Sequence, residues 1–462
     1  MDPRVLAWLD ALERSGDDLR HLAAHVAIPS VSAQPAHAAD VRRSAEHLRD
    51  ACARLGASAV LWETEGHPSV FAEWRRPADA AAPTLLVYGH HDVQPVEPLT
   101  LWNSPPFEAT ERDGRLFGRG TIDDKGQVWC HLHAIEAWLA TVGALPCHLK
   151  LLAEGEEEIG SKHFAALLAR EQARLGADAV IVSDTPMLDR GVPSICYGLR
   201  GLAYAEVTVR GLAADLHSGM YGGTFENPAH VLARLVASLH DADGRVAVAG
   251  FYDDVRPLPD AERAALAALP FDEAAYAAAA GARGLAGERG FTTLERLWCR
   301  PTCDVMGTWA GYTGPGAKTI LPAEAHAKLS CRLVPDQDPR RVLAGLEAHL
   351  RRVAPSTVEL TFTAMHAAQP WLADIDHPAF GAAERALAEA FGAETRYIRN
   401  GGSIPFVRMI AEALRRPCLL VGFGLPNENA HAPNEWIDIG NYRRGARACA
   451  WMYETLAQAL AR

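Results

Sequence analysis

Thr84-Leu-Leu-Val-Tyr-Gly-His-His-Asp92 is a short, apolar, β-prone run that stops at a glycine and then delivers two imidazoles and a carboxylate. Residues 84–88 read as a buried strand entered through Pro83. Gly89 is expected to let the chain turn where that strand ends. In an open α/β sheet, ligands bind just beyond the carboxyl ends of the strands. His90, His91 and Asp92 therefore stand where a site would lie. The same grammar recurs along the chain. The apolar run 149–153 ends in Glu154-Gly-Glu-Glu-Glu158, 179–182 ends in Ser183-Asp184, and 419–423 leads by a loop to His431. Asp123-Asp124 follows the glycine-rich Gly118-Arg-Gly120 and opens a helix. Acidic and imidazole clusters repeated at the ends of core elements are the pattern of a carboxylate- and histidine-lined metal cleft.

With 462 residues the chain exceeds what one core usually holds, so two or three domains are expected. A net charge of −12 without a basic run argues against nucleic acid as a partner. No apolar stretch is long enough to span a bilayer, and the first residues lack the basic-then-apolar layout of a signal peptide. Nine scattered cysteines, odd in number and without paired spacing, fit reduced thiols in a cytoplasmic enzyme. Cys299 and Cys303 have no matching second pair, which speaks against a cysteine zinc site.

Helical spacing marks 5–26, broken near Ser15-Gly16, and 40–55, closed at Gly56. Two strands are expected within 59–74 around Glu65-Gly-His-Pro68. Residues 124–141 predict a helix with one core-facing stripe, Val128, Leu132, Ile135 and Leu139, flanked by His131 and His133 as solvated or packed residues. Strand–helix alternation from 84 to 184 indicates a largely parallel sheet. Near Arg200 the pattern changes. Segments 203–209 and 325–333 alternate like half-buried antiparallel strands, with helices between and after them. The expected organisation is an α/β chain: a mostly parallel-sheet, dinuclear-metal catalytic domain (1–199 and 367–462) with an inserted α+β domain (200–366).

Zinc and similar ions take imidazole nitrogen and carboxylate oxygen. Two ions held about 3.5–4 Å apart can share a water and polarise a carbonyl. Such a centre needs a shared carboxylate, terminal ligands for each ion, and a free carboxylate to take a proton. His90, Asp123, Glu158, Asp184 and His431 supply ligands, and Glu157 supplies the base. A pair of glutamates is ordinarily a solvated surface. Here the run follows a buried strand and three like charges crowd together, for which cations are the natural compensation.

His90-His-Asp92, Gly118-Arg-Gly-Thr-Ile-Asp-Asp-Lys-Gly126, Glu154-Gly-Glu-Glu-Glu-Ile-Gly-Ser161, Asp215-Leu-His-Ser-Gly219 and Gly401-Gly-Ser-Ile-Pro405 together resemble the M20 metallopeptidase family. The likeness is greatest to its cytosolic dipeptidase branch, typified by carnosine-type dipeptidases, and it spans nearly the whole chain. The resemblance implies roles. His90 and Asp184 would bind the first metal, Glu158 and His431 the second, and Asp123 would bridge them. Asp92 would orient His90 and Glu157 would be the general base. Asp at 184 resembles the dipeptidase and aminopeptidase branches, whereas Glu there resembles deacylases and glutamate carboxypeptidases. His217 resembles a lid histidine that reaches the partner subunit's site and stabilises the oxyanion, which implies a homodimer. Arg332 and Ser403 resemble the residues that grip the substrate carboxylate. The implied cofactors are two divalent ions per subunit, zinc first, with manganese or cobalt as alternatives.

Simpler readings stand beside these. His91 is expected to be structural, Asp124 to cap its helix, Glu154 and Glu156 to shape their loop, and Lys125 to pair with a nearby carboxylate. The stretch 302–312 departs from the pattern of dipeptidase relatives, which leaves side-chain preference open. The expected activity is metal-dependent hydrolysis of dipeptides. The alternatives are an M20 N-acyl amino acid deacylase or carboxypeptidase, and a non-catalytic binding module on a peptidase scaffold. The last would lack a ligand or the base, and none is missing here.

Overall fold

A computed structural model describes residues 1–76 and 78–461. The chain forms two compact units. One comprises Met1–Tyr197, Ala373–Ile398 and Pro405–Arg462; the other comprises Gly198–Leu372 with Arg399–Ile404. Among the described residues no helix is long and apolar enough to cross a membrane.

The first unit is built on the quoted strand. Thr84–His90 pairs in parallel with His148–Glu154 on one side and with Ala179–Val182 on the other, and Cys418–Leu420 continues the parallel set. Antiparallel strands Ser58–Trp62 and Ser69–Trp74 extend one flank, and Ser194–Leu199 meets Cys418–Leu420 antiparallel on the other. The central strands are apolar almost throughout because both faces are covered. Register sets Tyr88 beside Val182 and His90 beside Glu154. The polar residues that end each strand therefore emerge at the same edge.

Helices pack on this sheet. Pro3–Ser15 and Asp17–Val26 are divided at Gly16, whose φ of 73° is open to glycine and ends the first helix. Ala38–Arg54 closes before Gly56, at φ 81°. Lys125–Val142 differs from the expected amphipathic helix, since nearly every residue from Lys125 to Trp138 is buried. Neighbours cover it on all sides, among them the C-terminal helix Ile439–Leu460 and the N-terminal helices. His131 and His133 are accordingly packed rather than solvated.

Gly89 plays a different part from the turn expected of it. The strand continues through it to His90. A Cβ there would stand 2.6 Å from both Asp124 Oδ2 and Val128 Cγ2. The position is glycine because a helix carrying a carboxylate approaches the strand at that point.

The second unit holds a four-stranded antiparallel sheet in the order Thr302–Ala310, Glu324–Leu333, Gly201–Arg210, Glu359–Ala368. Gly201–Arg210 alternates buried and half-buried positions, the mark of a sheet covered by helices on one face. Pro228–Ala237 and Pro339–Val353 share its core cluster. Residues 260–281, alanine-rich and polar, fold as two short helices, Asp260–Ala267 and Glu273–Ala279.

Candidate metal centre and catalytic residues

Asp123 lies between two histidines. Its Oδ1 is 2.9 Å from His90 Nε2, and its Oδ2 is 2.9 Å from His431 Nε2. Asp184 Oδ1 is on the first side, 3.8 Å from His90 Nε2. Glu158 Oε2 is on the second side, 3.2 Å from His431 Nε2. Five residues from five separate segments thus surround two adjacent positions, with Asp123 common to both. Asp123, Glu158 and His431 form one cluster with metal-ligand spacing, and His90, Asp124 and Asp184 form another.

Asp124 is a correction. It occupies the N-cap of Lys125–Val142 but makes no side-chain capping bond. Its Oδ2 accepts from the His90 backbone N–H at 3.2 Å, and its Oδ1 is buried without a partner. The close approach at Gly89 turns this carboxylate toward the cleft. Lys125 is a second correction. Its ammonium donates to the carbonyls of His25 and Ile28, at 3.0 and 2.7 Å, and not to a carboxylate. Helix Asp17–Val26 ends against it, so that backbone rather than an acid meets the buried nitrogen. His91 is buried and structural, with Nε2 3.0 Å from the Pro68 carbonyl oxygen. Glu154 accepts from Ser161 Oγ and Glu156 meets His163 Nδ1 at 2.8 Å, so both shape the loop.

Asp92 is fully buried and holds two parts of the site at once. Its Oδ1 is 3.4 Å from His90 Nδ1 and accepts from the Glu157 N–H at 3.3 Å. Its Oδ2 accepts from Ser32 Oγ at 2.6 Å and from the Glu158 N–H at 3.2 Å. One carboxylate thus fixes an imidazole ring and the short helical turn Glu157–Ile159 that carries Glu157 and Glu158.

The electrostatics suit cations. Burial pushes Glu157 and Asp124 well above the usual carboxylate range, and the charge of Asp184 adds to it in both. Burial, then the charge of Asp123, pushes Glu158 up to about 7. Burial raises Asp184 too. Burial opposes charge on His90, but contacts with Asp123, Asp184 and Asp92 outweigh it and hold the imidazole well above its ordinary range. Contacts with Asp123 and Glu158 raise His431 to about 11. Six carboxylates, those of Asp92, Asp123, Asp124, Glu157, Glu158 and Asp184, surround two imidazoles, one carboxylate oxygen is orphaned, and the donors are the N and O atoms that divalent ions take. The residues fit a dinuclear centre.

Several residues of the site carry no signal in the sequence. Glu435, fully buried, accepts from the N–H groups of Gly120, Ile122 and Asp123 and from Arg119 Nη1 at 2.7 Å. It sets the backbone that presents Asp123. The one hint was an acidic residue directly before the apolar Trp436-Ile437. Gln94 Nε2 donates to Glu158 Oε2 at 2.7 Å. His431 itself sits at φ 63°, an uncommon conformation for a residue with a side chain and one that clusters at functional sites.

The remaining candidates lie in the second unit. Arg332, half-buried on Glu324–Leu333, donates through Nη1 to Ser403 Oγ at 3.1 Å. Ser403 Oγ donates in turn to the Arg200 carbonyl at 2.6 Å. The Arg200 N–H donates to Gly402 O at 3.1 Å and its Nε to Gly401 O at 3.0 Å. These bonds explain why the loop Arg399–Ile404 packs with the second unit, although the sequence placed it in the segment 367–462. His217 is exposed, and its Nδ1 accepts from the Gly219 N–H at 3.0 Å. That bond puts the proton of the neutral ring on Nε2, as an outward donor.

A profile of peptidase family M20/M25/M40 matches residues 86–455. Beta-Ala-His dipeptidase of Homo sapiens is 33% identical over 386 residues, covering 82% of this chain and 76% of that protein. Cys-Gly metallodipeptidase dug1 of Schizosaccharomyces pombe is 31% identical over 463 residues, covering 96% and 97%. The crystal structure of human carnosine dipeptidase 1 superposes with a TM-score of 0.83 at 31% identity, covering 99% of this chain and 98% of that one. An M20 metallo-carboxypeptidase from Sulfolobus solfataricus, Sso-CP2, gives 0.83 at 34% identity, covering 96% and 99%.

Proposed function

The chain belongs to peptidase family M20/M25/M40, and from that premise we propose that it is a metal-dependent dipeptidase. The observation that carries the reading is Asp123, whose two carboxylate oxygens each meet a different histidine. His90, Asp184 and Asp123 would hold one divalent ion, and Glu158, His431 and Asp123 the other. When bound, such a pair activates water and polarises a carbonyl. Glu157 takes the proton from the attacking water and returns it to the leaving amine. Burial and the charge of Asp184 raise its affinity for that proton. Asp92 keeps His90 and the Glu157 turn in register. Arg332 and Ser403 grip the free carboxylate of the substrate, for which a guanidinium and a hydroxyl are suited donors.

His217 donates from Nε2 to the scissile carbonyl oxygen as charge develops there, and it does so across a homodimer. The first unit is the catalytic domain, and the second is the lid and dimerisation domain. Zinc is the favoured metal for His and carboxylate ligands, with manganese and cobalt as substitutes. Nine cysteines, all buried and all thiols, suit a reducing cytoplasm.

Of the four relatives named above, three are dipeptidases and one is a carboxypeptidase. Both reactions need a free C-terminal carboxylate, so substrate length separates them. Enzyme stripped by chelator and reloaded with zinc or manganese should hydrolyse free dipeptides faster than longer peptides or N-acetyl amino acids. Preference for acetyl amino acids or longer peptides, or full activity without metal, would overturn the reading.

A further inference from the structure

His21, His133 and Glu136 form a third cluster of metal-ligating groups, carried by helices Asp17–Val26 and Lys125–Val142. One nitrogen from each histidine and one carboxylate oxygen lie within 4.8 Å of one another. None of these residues belongs to the centre described above. His133 and Glu136 are three apart on one helix, so they are neighbours on its surface. His21 faces them from the other helix, its ring stacked on His133 at 5.7 Å and on Trp129 at 5.4 Å.

The hydrogen bonds fix which nitrogen of His133 is available. Tyr442 donates its hydroxyl proton to the Asp18 carbonyl at 3.3 Å. It therefore accepts from His133 Nε2, 2.9 Å away. The proton is on Nε2, and Nδ1 keeps its lone pair. That Nδ1 is buried without a partner, on a residue 1% exposed. His21 Nδ1 is buried without a partner as well. A ligating imidazole typically donates its second nitrogen to a hydroxyl or carbonyl in this way. Packing alone would leave two buried ring nitrogens without partners, which is uncommon in folded proteins.

We propose that His21, His133 and Glu136 bind a third divalent transition-metal ion, of the zinc class, which ties helix Asp17–Val26 to the helix that follows Asp123-Asp124. Two imidazole nitrogens and a carboxylate oxygen are a zinc-type ligand set, and the half-buried edge formed by His21 and Glu136 leaves a position for water. Bonds of about 2.0–2.1 Å put tetrahedral ligands roughly 3.4 Å apart. Ligation would draw the three donor atoms, now within 4.8 Å of one another, closer together. The ion stands apart from the reaction, so its effect falls on stability.

The test compares wild type with His21→Gln and Glu136→Gln, each stripped, reloaded with excess zinc and desalted. Melting in chelator first establishes that the variants fold. Elemental analysis should give one ion fewer per subunit in both variants. Zinc should raise the melting temperature of wild type more than that of either variant, while dipeptide hydrolysis by the reloaded proteins is the same. Equal ion counts in wild type and variants, or an equal thermal gain from zinc, would overturn the proposal. The readout is a difference, so a different occupancy of the Asp123 centre would shift every total and leave the outcome unaffected.

Discussion

Glu157 illustrates how the roles of identical side chains are set by position. Glu154, Glu156, Glu157 and Glu158 are near neighbours in sequence, yet the first two are spent on Ser161 and His163. Glu158 meets His431, and Glu157 meets no histidine, held instead through its backbone by Asp92. Glu157→Gln removes the proposed proton acceptor and keeps the shape. Turnover should fall by about 10²–10⁴-fold with metal content unchanged; near wild-type turnover with metal bound would exclude the role. Glu435 shows a different dependence. It is buried against Arg119 and three backbone donors, and removing one partner of such a pair costs about 3–5 kcal/mol. Glu435→Ala should lower the melting temperature and weaken metal retention together. An unchanged melt would show that the loop presenting Asp123 is held by other means.

At the scale of elements, the helix Lys125–Val142 carries buried histidines whose protonation acid would force. His131 lies inside it, with Nδ1 2.9 Å from Tyr453 Oη and Nε2 2.8 Å from Ser183 Oγ. Burial lowers it from 6.5 to about 3. Between those values the unfolded chain binds a proton that the folded chain does not, so stability rises with pH across the window and is lost as pH falls through it. The slope from one such group is about 1.4 kcal/mol per pH unit. Chemical denaturation of His131→Gln, whose amide can keep both contacts, should show a shallower loss of stability between pH 6 and pH 4 (a window of about two units within that range). A slope equal to that of wild type would mean that His131 is protonated without opening the helix.

At the scale of the molecule, His217 and the proposed ligands belong to different compact units. The claim that His217 acts in trans has a direct test. Removing one oxyanion donor costs about 10²–10³ in rate in other hydrolases, so His217→Ala should be nearly inactive with metals retained. Heterodimers of Glu157→Gln and His217→Ala subunits should regain activity. One of their two sites combines an intact base with a histidine from the neighbour. Verified heterodimers without recovery would place His217 in its own subunit's reaction or outside the reaction altogether.

The sequence by itself determined the parallel core and the residues brought to its edge. Each of His90, Glu157, Glu158 and Asp184 follows an apolar run, and strand register carries such positions to one side of a sheet. His431 was legible through the same grammar, one loop further on. Tertiary structure alone decided what those groups touch. Glu435 reaches Asp123 across 312 residues, and no local pattern encodes a partner at that distance. Asp124 reads as a helix cap, and Lys125 as half of an ion pair, until the packing around Gly89 and helix Asp17–Val26 turns one toward the cleft and seals the other against carbonyls. Of His21, His133 and Glu136, the sequence singles out only His133, as a solvated or packed helix residue. Only the meeting of two helices brings their ligating atoms within 4.8 Å of one another and leaves both Nδ1 atoms buried without partners, because hydrogen-bond satisfaction is a property of the folded neighbourhood and not of the chain.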